Sequence, residues 1–187
     1  MHSSHPIIRE ASSDPDYRAF SQLIGEYVAW LRGRYEQDAG FISEVLDTQS
    51  LASELADLPA IYGRPSGRAF VAVHGQEVRG CAAYRWLANG TCEMKRVFVP
   101  SRFQGAGLGR KLCSALILAA REDGYQTMKL DTGRRMTEAI SLYQSLGFQE
   151  CPGYMDYPSN LMPHFVFMAL PLAQATANAH RSAKAII

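Results

Sequence analysis

Apolar and polar positions along this chain of 187 residues change period part-way, from helical spacing to strand alternation. Ile7-Ile8-Arg9-Glu10-Ala11 reads as a short first strand. Ser12-Ser13-Asp14-Pro15 then offers a capping residue and a proline for a first helical turn. Tyr17, Phe20, Leu23, Ile24, Tyr27, Val28 and Leu31 follow as one apolar stripe of an amphipathic helix. A break over residues 33–40 leads to a second helical stretch, 41–58, in two pieces, and then to a loop over 62–67.

Strand spacing begins at Ala69-Phe70-Val71-Ala72-Val73. A turn at 74–77 precedes a longer strand over 78–87. Asn89-Gly90 is a hairpin signal, and residues 91–99 form the partner strand, which Pro100 ends. A helix runs from Gly107 to Asp123 and is closed by Gly124. Then come a strand over 127–131, a helix over 136–145, a short strand over 148–151 and a last strand over 165–170. The order is strand, two helices, three antiparallel strands, helix, strand, helix, two strands. It predicts a mixed α/β (α+β) fold in one domain over 1–172, with a fraying tail over 173–187 rich in alanine and polar residues.

Composition narrows the function classes. Hydrophobic residues are 47% and charged residues 20%, ordinary for a globular protein. The formal net charge of +1 and the lack of a basic stripe argue against a nucleic-acid partner. No run approaches the ~18 apolar residues of a membrane span, so no membrane partner is expected. The N-terminus has no apolar core of a signal peptide. Cys81, Cys92, Cys113 and Cys151 have no metal-binding spacing, and the five histidines are scattered. These features point to a cytoplasmic protein with reduced thiols and no metal.

The most informative stretch is Gln104-Gly105-Ala106-Gly107-Leu108-Gly109-Arg110. It lies directly after the strand residues Val97-Phe98-Val99 and opens a helix. Glycines permit positive φ and close approach of a ligand to the backbone. A helix N-terminus offers unpaired N–H groups to phosphate. Glycines spaced Gly-x-Gly-x-Gly do not fit the dinucleotide pattern Gly-x-Gly-x-x-Gly, and no Lys-Ser or Lys-Thr follows as in a triphosphate loop. The pattern Gln/Arg-x-x-Gly-x-Gly does fit, and it resembles the pyrophosphate loop of acyl-CoA-binding families. It fits in two registers, one from Arg102 and one from Gln104, and the second sets Leu108 and Leu112 on one helix face. Arg110 and Lys111 either reach phosphate oxygens or form a solvated helix face.

From Cys92 to Phe148 the chain resembles the GNAT superfamily of acyl-CoA-dependent N-acyltransferases. The resemblance rests on the strand 93–99, the glycine loop, and Ala139-Ile140-Ser141-Leu142-Tyr143-Gln144-Ser145-Leu146-Gly147-Phe148. It implies a sheet whose two central strands splay apart, with the pantetheine arm of acetyl-CoA pairing beside Val97, Phe98 and Val99. The loop from Gln104 to Arg110 would hold the pyrophosphate, and a backbone N–H near Val97 would polarise the thioester carbonyl. Tyr143 matches the tyrosine that protonates the departing thiolate, although by spacing alone it falls on a core stripe with Met136, Ala139 and Leu146. Glu93 stands eleven residues before Gln104, matching the glutamate base of the histone-acetylating branch. Strand parity puts Glu93 on the same face as Val97, about 13 Å away, so it would act through water. Tyr84, Asp156 and Tyr157 are alternative bases. Met136 stands where many members carry an asparagine that helps hold the cofactor.

The acceptor is expected among Tyr27, Trp30, Tyr35, Phe41, Tyr84, Trp86, Tyr154 and Tyr157, with Arg85 or His164 available to hold a carboxylate. The resulting expectation is transfer of an acetyl group from acetyl-CoA to a primary amine, with a small-molecule amine ahead of a protein lysine or N-terminus. An idle acyl-CoA-binding module is the reading from another class. Self-association into a homodimer stays open.

Overall fold

A computed structural model describes residues 5–172. The expected tail over 173–187 lies outside the described residues. Strand β1 (Ile7–Glu10) leads into α1 (Asp14–Arg34), then α2 (Ala39–Thr48), α3 (Leu51–Ala56) and α4 (Leu58–Tyr62). The strands β2 (Gly67–His74), β3 (Glu77–Ala88) and β4 (Thr91–Phe98) follow, then α5 (Leu108–Glu122), β5 (Thr127–Gly133), α6 (Thr137–Ser145), β6 (Gln149–Glu150) and β7 (Phe165–Pro171). The expected order holds. The break after Gly33 is shorter than expected, because α1 continues to Arg34 and a 3₁₀ turn over Glu36–Asp38 joins it to α2. The second helical stretch is three short helices rather than two pieces, and the third takes the start of the expected loop.

The seven strands lie in the order β1-β2-β3-β4-β5-β7-β6. All neighbours are antiparallel except β4 and β5. The last strand inserts between β5 and β6, a placement that hydrophobic alternation cannot specify. One sheet face packs on α5 and α6, with Leu112, Leu116, Met128, Leu130 and Met168 buried between. The other face packs on α1–α4 through Phe20, Ile24, Tyr62, Val71 and Cys81. A smaller cluster of Val45, Tyr157, Leu161, Phe165 and Phe167 closes the end beside α2.

Two irregularities position the site. β4 and β5 pair only from Thr91–Thr127 to Glu93–Lys129, so their later residues diverge. On its other edge, β4 pairs Lys95 with Ala83 and then Phe98 with Cys81. Arg96 and Val97 therefore oppose the single residue Ala82, which is a β-bulge. Arg96 takes φ +56°, a left-handed value costly for a side chain with a Cβ.

Candidate active site

The divergence of β4 from β5 opens a cavity of about 750 Å³, within the range of small-molecule sites. Its wall includes Val97, Phe98 and Val99 on β4, and Gln104, Gly105, Gly107, Leu108, Gly109 and Arg110 at the start of α5. Tyr143 of α6 lines it as well. The far side is built by Tyr27, Trp30 and Tyr35 of α1, Phe41 and Val45 of α2, and Pro163–Phe165.

The glycine loop is shaped for an anion. Gly105 and Gly107 take φ +88° and +70°, and a Cβ at either would meet nothing within 4 Å, so the space over them is open. The Lys111 N–H bonds the Gly107 carbonyl and starts the helical ladder. Among the described residues, the backbone N–H groups from Gly105 to Arg110 have no acceptor. This is the donor array, with a helix dipole behind it, that phosphate oxygens need. The Gln104 side chain is committed elsewhere: its Nε2 donates to the Val99 carbonyl at 2.9 Å and ties the loop to the strand. Leu108 is buried at the first helical position.

Comparison with known proteins decides the family. Residues 24–148 match the model of the Acetyltransferase (GNAT) family. The chain belongs to the GNAT family of acyl-CoA-dependent N-acetyltransferases. It is 30% identical over 176 residues to an uncharacterized N-acetyltransferase of Schizosaccharomyces pombe, covering 93% of this chain and 99% of the relative. It is 30% identical to an IAA acetyltransferase of Azospirillum brasilense, with 89% and 99% covered. Among solved structures, a chain from Klebsiella pneumoniae described as an acyl-CoA N-acyltransferase superposes at TM-score 0.65, with 27% identity and 90% of this chain and 98% of that one covered. A GNAT acetyltransferase of Elizabethkingia anophelis with acetyl-CoA bound superposes at 0.52, with 24% identity, over 63% of this chain and 82% of that one.

In this GNAT fold Tyr143 is buried, packs edge-on against Phe148, and has no hydrogen-bond partner among the described residues. Burial pushes its hydroxyl well above the usual tyrosine range, with the charge of Asp131 adding to the rise. The group thus keeps its proton at neutral pH while facing the cavity. It serves both the core stripe and the cavity wall.

Glu93 sits elsewhere. It lies at the closed end of the split, fully buried and outside the cavity wall. Arg85 grips Oε2 at 2.8–2.9 Å, Tyr154 donates to Oε1 at 3.1 Å, and the Lys95 ammonium stands 3.7 Å from Oε1. Glu93 does not share a face with Val97. The bulge at Arg96 inserts a residue, so Val97 packs with Cys92 and Met94 on the α5 side, while Glu93 meets Arg85 on the opposite side. The parity argument fails for that reason.

Of the cofactor-loop residues, Ala106 alone does not line the cavity. Tyr84 donates to Asp123 away from the site, Asp156 is exposed outside it, and Trp86 is 57% exposed and does not line the cavity. Arg85 is committed to Glu93, whereas His164 lies on the cavity wall against the Phe41 ring. Met136 lines the cavity as an apolar wall beneath α6.

Sequence reasoning missed Asp131 and Lys95. Asp131 lies two residues past the last β4–β5 pair, lines the cavity, and has a side chain only 2% exposed. Its Oδ1 accepts from Lys95 at 3.2 Å, and its Oδ2 accepts from Tyr157 at 3.0 Å. These bonds hold its carboxyl below the usual range against the opposing effect of burial. An aspartate ending a strand gives no sequence signal until the strands are known to part there.

Proposed function

We propose that this protein moves an acetyl group from acetyl-CoA to the primary amine of a small molecule, by direct attack in a ternary complex. The observation that carries this reading is that one cavity holds the unpaired N–H array of residues 105–110, the free edge of β4 and the Tyr143 hydroxyl. The N–H groups bind the pyrophosphate, and the edge of β4 from Val97 to Val99 takes the pantetheine amides in place of the missing strand. The bulge frees the Val97 N–H to polarise the thioester carbonyl, a contribution of several kcal/mol for one preorganised donor. The amine nitrogen bonds to the carbonyl carbon, the carbon–sulfur bond breaks, and the sulfur takes the Tyr143 proton. The proton lost by the amine balances the one delivered to sulfur. Glu93 reaches the site only through Lys95 and Asp131, so its role in this scheme is to hold that pair.

An acceptor side walled by two helices and Pro163–Phe165 suits a compact molecule better than a protein segment. The zebrafish N-acetylaspartate synthetase is 35% identical over 66% of this chain, although the match covers 44% of that relative; its name and that of the Azospirillum relative favour a small acceptor. Thermal unfolding with acetyl-CoA tests the first half. At 100 times Kd the ligand adds about 2.7 kcal/mol, or roughly 5–10 °C for a chain of this size. Thiol release with amines and with peptides then separates the acceptor classes. No shift at millimolar acetyl-CoA would remove the reading.

A further inference from the structure

The charges around the inner end of the cavity balance without any ligand. Glu93 and Asp131 face Arg85 and Lys95, and Arg96 is neutralised by Glu54. The other titratable groups near Asp131 are the tyrosines 27, 143, 154 and 157, all pushed upward by burial and hence neutral. Lys129 stands half-exposed over the Tyr154 ring, and His164, Arg134 and Arg135 lie nearer the rim. Glu138, also in the wall, is paired with Arg34, so among the described residues no surplus negative charge remains. Yet among the described residues Asp131 Oδ1 accepts only from Lys95 and so keeps a lone pair free. Beyond the polar floor of Lys95, Arg96 and Gln49, the cavity wall includes the largely apolar Tyr35, Phe41, Ile42, Val45, Leu46 and Phe165.

Resting on the acetyl-transfer reading, we infer that Asp131 receives the acceptor's amino group, and that the acceptor is a small primary amine with an apolar body rather than a polycation. An ammonium entering this site adds a positive charge beside Lys95 in a poorly solvated place, which favours its neutral form. The neutral amine donates one N–H to Oδ1 and keeps its lone pair for the carbonyl carbon. Lys95 therefore promotes loss of the amine proton to water, and Asp131 positions what is left. A polyamine would bring further cations toward Arg134, whose guanidinium bonds the carbonyls of Pro163 and Phe165.

The test is steady-state kinetics with phenethylamine, ethanolamine and spermidine, alongside acetyl-CoA binding by thermal shift. Phenethylamine should exceed the other two at least tenfold in kcat/KM. Asp131→Asn should raise the phenethylamine KM at least tenfold while acetyl-CoA binding stays within twofold. Lys95→Met should do the opposite to the amine: a lower KM, with the acidic limb of the kcat profile moved to higher pH. Opposite signs separate this role from a structural one, which would damage both variants alike. Should Asp131→Asn not fold, Lys95→Met and the amine panel decide alone. Equal use of the three amines, an unchanged KM in a folded Asp131→Asn, or a raised KM in Lys95→Met overturns the inference. Acetyl-CoA binding with all three amines inert overturns it while leaving the cofactor reading intact; loss of acetyl-CoA binding in the unaltered protein overturns both.

Discussion

Arg96 and Glu54 form a two-pronged ion pair across 42 residues of sequence, with Nε to Oε1 at 2.5 Å and Nη2 to Oε2 at 2.8 Å, both side chains buried. Gln49 accepts a further bond from Arg96 at 3.1 Å. The pair fastens α3 to the bulge of β4, so the residue with left-handed backbone is held from its side chain. Strain of this kind persists only where surroundings enforce it. Glu54→Gln should cost about 3–5 kcal/mol, the penalty for leaving a buried charge without its partner. A lower urea midpoint with an unchanged m-value checks this; a shift below ~1 kcal/mol would mean that solvent reaches Arg96.

Tyr143→Phe keeps the ring against Phe148 and removes a hydroxyl that bonds nothing among the described residues. Stability should hardly change. The kcat should fall by roughly 10²–10⁴-fold, the usual worth of a general acid, with acetyl-CoA affinity retained. Single-turnover acetyl transfer beside equilibrium binding separates the two effects, and unchanged turnover removes Tyr143 from the chemistry.

Gly107→Val places a β-branched side chain at φ +70°, over the open donor array. Acetyl-CoA affinity should drop more than tenfold. Nothing lies within 4 Å of the added Cβ, so the fold loses only the cost of the left-handed backbone, about 1–2 kcal/mol. Calorimetric titration and a melting curve on the same sample check both parts; normal binding would move the pyrophosphate elsewhere.

Asp16 anchors the start of α1. It accepts from both Arg9 guanidinium nitrogens at 2.6 and 2.8 Å and from the Ser12 backbone N–H at 3.1 Å. The Arg9 hydrogen bonds, more than the burial that opposes them, hold its carboxyl far below the usual range. A carboxyl lowered by folding stabilises the fold above its unfolded pKa of about 4. That contribution fades as pH falls from there toward the folded value. Asp16→Asn should therefore cost about 1–2 kcal/mol at pH 7 and progressively less below pH 4. Denaturation at pH 7 and pH 3 tests this, and an equal loss at both would refute the linkage.

Much of the fold was legible because strand alternation, the Asn89-Gly90 turn and the stripe of α1 are local signals. The chain order came out correctly for that reason, and the glycine loop stood out because Gly105 and Gly107 supply conformations that other residues avoid. The polar floor of the cavity was not legible. Lys95, Asp131 and Gln49, with Glu54 behind Arg96, are scattered over several segments, and each alone reads as an ordinary surface residue. Glu93 was placed on the wrong side because alternation was carried through Arg96, where the bulge breaks it.

By itself the sequence determined the elements, the phosphate-type loop and the match between Tyr143 and a thiolate-protonating tyrosine, since each depends on residues near one another in the chain. Tertiary structure decided where β4 leaves β5, which face each side chain takes beyond the bulge, and which charges cancel. Those outcomes depend on strand pairing and on ion pairs between distant segments, and spacing along one chain carries neither.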